Sequence, residues 1–263
     1  MGVVWQRLNK RTLILAFSVS LMLAMIQFYP TLRLIGDQSD YFDSAYTKWL
    51  GVDTFQSISQ VYYLVLPLLA ALPVGSVLNQ DHVTSFLTQL RMKVPTKVLF
   101  RGYFGWSFLL GGLVTALPLL VNLWGHLLVL PSYRPDNLLH SNILVISFNT
   151  LSVGMYYAHP LLHAALAIGR TFVWGGLLSL FVTGVGLYTR QRFMGIGLVV
   201  LTQLGLILVQ PLGVTSHSFA PADFLRETAN ANVSWPAALG VTAVFSGVTL
   251  YLAIRGWQRL VHA

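Results

Sequence analysis

Long apolar runs separated by short polar stretches dominate the chain. Each run is about as long as the roughly 20 residues that an α-helix needs to cross the hydrocarbon core of a bilayer. Six runs are predicted to be membrane-spanning helices, at residues 12–29, 59–78, 102–124, 160–188, 193–209 and 235–254. Backbone groups in lipid must be hydrogen-bonded within their own segment. We therefore expect an all-α, polytopic membrane bundle of about six transmembrane helices.

The apolar stretch from residue 141 to 188 is longer than one crossing requires, and Arg170 interrupts it. Two crossings here would place Arg190 and Arg192 on the outer side, against the preference of basic residues for the cytoplasm. We therefore predict a single long helix over 160–188, preceded by an outer or re-entrant helix. Arg170 then lies near the outer interface, where its side chain can reach the lipid headgroups.

The amino-acid composition also favours a membrane environment. Of the 263 residues, 55% are hydrophobic and 9% are charged, against about 25% charged residues in a soluble domain. The absence of cysteine excludes a disulfide framework, a thiolate zinc site and a cysteine nucleophile. Internal repeats, low-complexity tracts and flexible linkers are not evident, so residues 1–263 are expected to form a single transmembrane domain.

The net charge of +8 comes from basic residues at the ends of the predicted helices. Eleven of the 16 lysines and arginines fall in segments that this arrangement places in the cytoplasm, whereas seven of the eight acids fall outside. Because basic residues favour the cytoplasmic side, both termini are predicted to be cytoplasmic. A nucleic-acid footprint would need a basic soluble face, for which the chain has no room, so no nucleic-acid partner is expected.

Motifs of common nucleotide-binding and membrane enzymes are missing from the sequence. There is no G-x-x-x-x-G-K-[ST] loop to bind nucleotide phosphates and no G-x-S-x-G turn to hold a nucleophilic serine. Glu227 is the only glutamate, which excludes an H-E-x-x-H zinc site and a pair of catalytic glutamates. We expect no catalytic centre, metal or cofactor in this chain, and we expect any ATP hydrolysis to occur on a separate subunit.

Four histidines offer an alternative chemistry. His159 and His163 are four residues apart on one predicted helix face, and His126 and His140 fall in the same outer segment. We interpret them as interfacial side chains rather than metal ligands, because no carboxylate completes the set. The alternative is that His159 and His163 are the acid–base groups of an intramembrane enzyme that acts on lipid. Arg170 is either an interfacial anchor or a contact for an anionic substrate or a lipid phosphate.

The basic segment over residues 79–101 is predicted to be the longest cytoplasmic loop. Its apolar residues recur at three- and four-residue spacing, which predicts a short amphipathic helix along the membrane face. These residues are Val83, Phe86, Leu87, Leu90 and Val94. The pattern ends at Pro95, because proline cannot supply the backbone N–H of a helix interior.

This segment resembles the one found at the same place in permease subunits of ABC transporters of the type-2 exporter class. In that family, an acidic residue after the second span is followed by two small residues, an amphipathic helix, a basic residue, a break and a second basic residue. The residues that fill those places in order are Asp81, Thr84 with Ser85, Phe86 to Leu90 with Leu87 between them, Arg91, Pro95 and Arg101. The layout of the chain is similar too, with a long fourth helix entered after Pro160 and a basic turn at 190–192.

The resemblance implies a permease subunit in the plasma membrane of a bacterium, exporting a peptide, a lipid or an amphiphilic small molecule. It also implies a second permease subunit, of the same or a different chain, and two cytoplasmic ATPase subunits that the helix of residues 82–94 would contact. A short helix fixed to two spans can pass motion from a closing ATPase dimer to the bundle.

The residues alone leave two alternatives open. The helix of residues 82–94 can also belong to a solvated loop that binds only anionic membrane lipids. The same layout also fits a membrane immunity or regulatory protein that binds a toxin or another partner without moving a cargo.

Overall fold

The computed structural model describes residues 2–33, 43–53, 57–75, 77–136 and 145–262. All regular secondary structure in these ranges is α-helical, which confirms the predicted all-α class. The helices found there are α1 Gly2–Arg7, α2 Lys10–Arg33, α3 Ala45–Lys48, α4 Ser57–Ala71, α5 Val77–Val83, α6 Phe86–Lys93, α7 Thr96–Val129, α8 Val153–Ala158, α9 Pro160–Val185, α10 Met194–Val209, α11 Pro221–Phe224 and α12 Trp235–His262.

Four of these helices, α2, α7, α9 and α12, are long and apolar enough to cross a membrane, as expected of a multi-pass membrane protein. They coincide with the first, third, fourth and sixth predicted spans. The helices at the second and fifth predicted spans, α4 and α10, are also apolar but have only 15 and 16 residues. A helix of that length extends about 24 Å, less than the roughly 30 Å of hydrocarbon.

The helix at the second predicted span ends early. α4 stops at Ala71, a turn follows over 72–75, and α5 begins at Val77, whereas the sequence predicted one span over 59–78 with kinks at Pro67 and Pro73. Pro73 explains the break, because its ring nitrogen has no hydrogen to donate to the carbonyl one turn earlier. Pro67, by contrast, is kept inside α4.

The centre of the bundle is the contact between α7 and α9. A Cβ atom on Gly111 would lie 2.7 Å from the carbonyl oxygen of Gly175, so the two backbones touch at this point. One turn away, the buried Ser107 hydroxyl lies 2.8 Å from Ser179 Oγ and 2.7 Å from Thr183 Oγ1. Small residues allow helices in membranes to approach closely, and hydroxyls bond across the contact. α7 and α9 therefore pack as one unit.

The other long helices surround this pair. α2 packs against α7 and α4, α10 lies against α4 and α9, and α12 packs chiefly against α9. α2 and α12 carry large exposed apolar side chains, among them Met22, Ile26, Leu239 and Leu250. Such surfaces suit contact with acyl chains, which are as apolar as the side chains themselves.

The two ends of the bundle differ in charge. We call one of them the Asp81 end; it contains α1, α5, α6, the start of α7, the turn between α9 and α10, and the end of α12. Among the described residues there, the acid is Asp81, which is buried, and the exposed bases are Arg7, Lys10, Arg11, Lys93, Lys97, Arg101, Arg190, Arg192 and Arg255. The opposite end, which we call the Glu227 end, contains α3, α8 and α11 and the acids Asp43, Asp53, Asp136, Asp223 and Glu227.

The segment before the fourth span contains only a short helix. Turns cover 147–152, and the six-residue α8 follows and packs against α9. This short helix stands where the sequence predicted an outer or re-entrant helix. Residues 137–144, with His140, lie outside the described residues.

Candidate functional site

Asp81 joins three helices at its end of the bundle. Its carboxylate is buried on α5 and accepts hydrogen bonds from Arg7 Nη2 at 2.5 Å and from Tyr103 Oη at 2.6 Å. Arg7 comes from α1 and Tyr103 from α7. The carboxylate stabilises the charged guanidinium and so raises the pKa of Arg7. Because both partners bond one buried carboxylate, α1, α5 and α7 are fixed to each other.

The apolar face of α6 packs against the rest of the protein. Leu87 and Leu90 are buried in a cluster that also contains Val4 of α1, Leu8 just after α1, and Leu99 of α7. A helix anchored in this way cannot offer these two leucines to a partner. The exposed residues of α6 are polar or flexible: Thr88, Gln89, Met92 and Lys93.

Phe86 opens α6 and lies under Arg7. The guanidinium carbon of Arg7 is 4.1 Å from the centre of the Phe86 ring, close enough for a cation–π contact. Arg7 therefore contacts both α5, through Asp81, and α6, through Phe86. The sequence did not predict this direct contact between the N-terminal segment and the basic loop.

The small pair Thr84 and Ser85 separates two helices. The sequence predicted one helix over 82–94, whereas the structure has α5 ending at Val83 and α6 starting at Phe86. Ser85 has φ +57° and ψ +10°, in the left-handed region that glycine adopts most easily. This conformation ends the helical repeat of α5 and starts α6 in a new direction. We call the two helices and the turn between them the α5–α6 hairpin (77–93).

The basic residues of the predicted segment lie at the protein surface. Arg91, near the end of α6, is half-buried, and Arg101, in the second turn of α7, is exposed. Pro95 lies between the two helices as the N-cap residue of α7. The segment thus begins at a buried acid, Asp81, and ends at an exposed base, Arg101.

A second cluster of charged residues is buried at the other end. Glu227, only 1% exposed, accepts a hydrogen bond through Oε1 from Arg170 Nη2. Its Oε2 lies 3.4 Å from His163 Nε2, which is also 3.0 Å from the carbonyl oxygen of Leu151. Since a carbonyl only accepts, Nε2 carries the hydrogen. Burial raises the pKa of Glu227, and the charges of Arg170 and His163 counteract that rise.

Arg170 is thus paired with a carboxylate. Its guanidinium also lies over the ring of Trp235, 5.8 Å from the ring centre. Both interpretations of Arg170, as an interfacial anchor and as a contact for an anionic substrate or a lipid phosphate, stay predictions. The sequence had not linked Arg170 to Glu227, because the two are 57 positions apart.

The backbone around Glu227 is held by neighbouring loops. The Glu227 amide donates to the carbonyl of Gly51 at 3.0 Å, and the Thr228 hydroxyl donates to the carbonyl of Val52, also at 3.0 Å. The Thr150 hydroxyl donates to the Glu227 carbonyl. Two other loops, at 51–52 and at 150, therefore hold the loop of Glu227, so that three loops meet at this residue.

The predicted histidines have different surroundings. His159 is exposed, whereas His163, one turn further on α9, is buried against Glu227. His126 Nε2 lies 3.3 Å from the Thr31 hydroxyl, and its Nδ1 lies 2.8 Å from the Asn122 carbonyl. His126 thus joins α2 to α7. The part of the chain that the structure describes holds no group of three or more histidine and acidic side chains arranged for a metal ion.

Comparison of the chain with protein-family models, curated proteins and solved structures finds no match.

Proposed function

We propose that this protein is the membrane-spanning permease subunit of an ATP-driven exporter in the plasma membrane of a bacterium. Its cargo would be a peptide, a lipid or an amphiphilic small molecule. The observation that carries the proposal is the α5–α6 hairpin, which is anchored by Leu87, Leu90 and Asp81 and keeps a polar face exposed. A hairpin fixed to α1 and α7 moves with them, so it suits the transfer of motion from a soluble partner.

The exposed face of α6 suits a protein partner. Met92 is 79% exposed and lies between Arg91 and Lys93 in the sequence of α6. An apolar side chain within a basic surface fits a partner pocket with acidic surroundings. In the proposal, the partner is an ATPase subunit. The full complex contains two such subunits, bound to this chain and to a second permease subunit.

The charge difference between the two ends supports a cytoplasmic position for the Asp81 end. Both chain ends lie there, since Arg7 bonds Asp81 and the ring of Trp257 lies 5.2 Å from that of Phe100. Six crossings with both termini in the cytoplasm agree with this placement. α4 together with the 72–75 turn then makes the second crossing, and α10 together with the turn at 210–213 makes the fifth.

Co-purification tests the proposal. The C-terminally tagged chain, extracted gently from native membranes, is expected to retain a P-loop ATPase in near-equal amount. Met92→Glu places a negative charge on the exposed face of α6 and is expected to lower the recovered ATPase at least about ten-fold, as for a hot-spot residue. Val214→Glu is the matched control, because Val214 is 70% exposed at the opposite end; full recovery is expected.

Two outcomes contradict the proposal. If the unaltered chain brings down no ATPase, the exporter is wrong and a membrane immunity or regulatory protein becomes the better interpretation. If ATPase recovery is the same for Met92→Glu and Val214→Glu, the coupling face is not on α6. Leu87 and Leu90 are unsuitable for this experiment, because replacing them would disturb the buried cluster.

A further inference from the structure

A polar cavity lies at the Glu227 end, where α4 begins and α10 ends. Its volume is about 560 Å³, which is in the range of small-molecule sites. The lining residues that determine its chemistry are Gln60, Val61, Leu64, Gln210, Asp223 and Arg226. The cavity therefore joins a cation, an anion and an apolar wall in one place.

Arg226 is the cation of this cavity and is only 7% exposed. Its Nε and Nη2 both donate to the carbonyl oxygen of Thr228, and Nη2 is also 3.4 Å from Asn230 Oδ1. Among the described residues, none accepts a hydrogen bond from Nη1. A guanidinium held in place by two of its nitrogens can present the third to an anionic group such as a phosphate.

Asp223 is the anion of the cavity. Its Oδ2 accepts a hydrogen bond from the Ser218 hydroxyl at 2.5 Å. Burial raises the pKa of Asp223, although Ser218 and the charge of Arg226 act in the opposite direction. Asp223 and Arg226 line the same cavity and influence each other's charge, but they do not bond directly. The space between them can take a group that is negative at one end and positive at the other.

Gln210 adds an acceptor to the same wall. Its Oε1 is buried and has no hydrogen-bond donor among the described residues, while its Nε2 lies 3.4 Å from the Ser216 carbonyl. A buried carbonyl without a donor costs free energy until a donor reaches it. A primary ammonium carries three donors and can bond Asp223 and Gln210 together.

The apolar wall of the cavity continues along α4. Val61 and Leu64 are 39% and 43% exposed, on a face that meets acyl chains if α4 lies in the bilayer. The charged groups lie at the ends of two apolar helices, at the depth expected for lipid headgroups. A lipid can thus place its headgroup in the cavity and its chain along α4.

We propose that this cavity binds the zwitterionic headgroup of a phosphoethanolamine lipid. The phosphate accepts hydrogen bonds from Arg226, the primary ammonium donates to Asp223 and Gln210, and an acyl chain follows Val61 and Leu64. The site does not depend on the exporter function, because the binding needs no ATPase.

The test is native mass spectrometry of the delipidated full chain with phosphatidylethanolamine or phosphatidylglycerol of the same acyl chains. Phosphatidylethanolamine adducts are expected to exceed phosphatidylglycerol adducts about ten-fold, the gain of one charge-assisted hydrogen bond. Equal occupancy by the two lipids would overturn the proposal. Soluble glycerophosphoethanolamine, which has no acyl chains, is expected to bind far more weakly. If it bound as tightly as the lipid, the proposal that the ligand is a membrane lipid would be wrong.

Two pairs of variants locate the site. Asp223→Asn is expected to reduce the preference for the ethanolamine lipid to less than about two-fold, while Asp43→Asn, a surface acid that pairs with Lys48, is expected to keep it. Gln60→Trp, on the exposed rim, is expected to block occupancy with no change of charge, whereas Leu68→Trp, two turns along α4, is not. Retained selectivity in Asp223→Asn, together with retained occupancy in Gln60→Trp, would place the lipid elsewhere.

Discussion

At the residue scale, Ser85 combines a non-glycine side chain with a left-handed backbone, φ +57°. Such a conformation costs an L-residue about 1–2 kcal/mol, and glycine avoids this at the expense of about 0.5–1 kcal/mol of unfolded-state entropy. Ser85→Gly is therefore expected to stabilise the protein by about 0.5–1 kcal/mol and to raise the Tm of the purified chain in detergent.

Thr88→Gly is the control for Ser85→Gly, because Thr88 is exposed inside the neighbouring helix α6. Glycine at such a position is expected to lower stability by a few tenths of a kcal/mol up to about 1 kcal/mol. If both variants lower Tm equally, strain at Ser85 is not the explanation.

The pairing of Arg170 with Glu227 marks how far single residues could be predicted. The sequence predicted Arg170 near an interface, because one charge within a long apolar run is costly unless it reaches a polar group. It did not predict the partner, since Glu227 reaches α9 only after three loops meet around it. Asp81 is a similar case: the sequence predicted that it lies in a cytoplasmic loop, but it did not predict the hydrogen bonds to Arg7 and Tyr103.

At the scale of elements, the contact between α7 and α9 leaves no room at its glycines. A Cβ on Gly175 would lie 2.0 Å from Thr115 Oγ1 and 2.7 Å from the Gly111 carbonyl oxygen. Gly175→Ala is expected to destabilise the protein by about 1–3 kcal/mol, because the helices must separate. Gly169→Ala on the same helix meets nothing within 4 Å and is expected to stabilise by up to about 1 kcal/mol. Thermal unfolding in detergent measures both, and equal Tm values would contradict close packing at this seam.

Helix existence was easier to predict than helix ends. Three of the four long apolar helices, α2, α7 and α12, were evident from hydropathy alone, since each is a continuous run of suitable length. Predicting α9 also required the preference of basic residues for the cytoplasm, because Arg170 interrupts its run. The break after Ala71 and the turn at Ser85 were not, because the apolar pattern continues through both positions. The apolar periodicity by itself predicts one helix at each position. The helix is interrupted by Pro73 in the first case and by the left-handed backbone conformation of Ser85 in the second.

At the scale of the whole molecule, the two buried acids hold the loops of opposite ends. Asp81 connects the N-terminal helix to the α5–α6 hairpin, and Glu227 connects three loops to α9. Between them lies the closely packed pair α7 and α9, to which α12 attaches mainly through α9. A push on the hairpin would therefore reach α7 directly, and it would reach α12 through α9 and through the contact of Trp257 with Phe100 of α7.

The orientation of the molecule can be tested because the chain has no cysteine, so single cysteines can be introduced without background. Gln89→Cys and Val214→Cys place exposed thiols at the Asp81 end and the Glu227 end. The excess of basic residues at the Asp81 end predicts that this end is cytoplasmic. In intact cells, a membrane-impermeant maleimide is expected to label Val214→Cys and to label Gln89→Cys only after permeabilisation. The opposite result would invert the topology and remove the exposed face of α6 from any cytoplasmic ATPase, whereas labelling of both thiols in intact cells would place both ends outside.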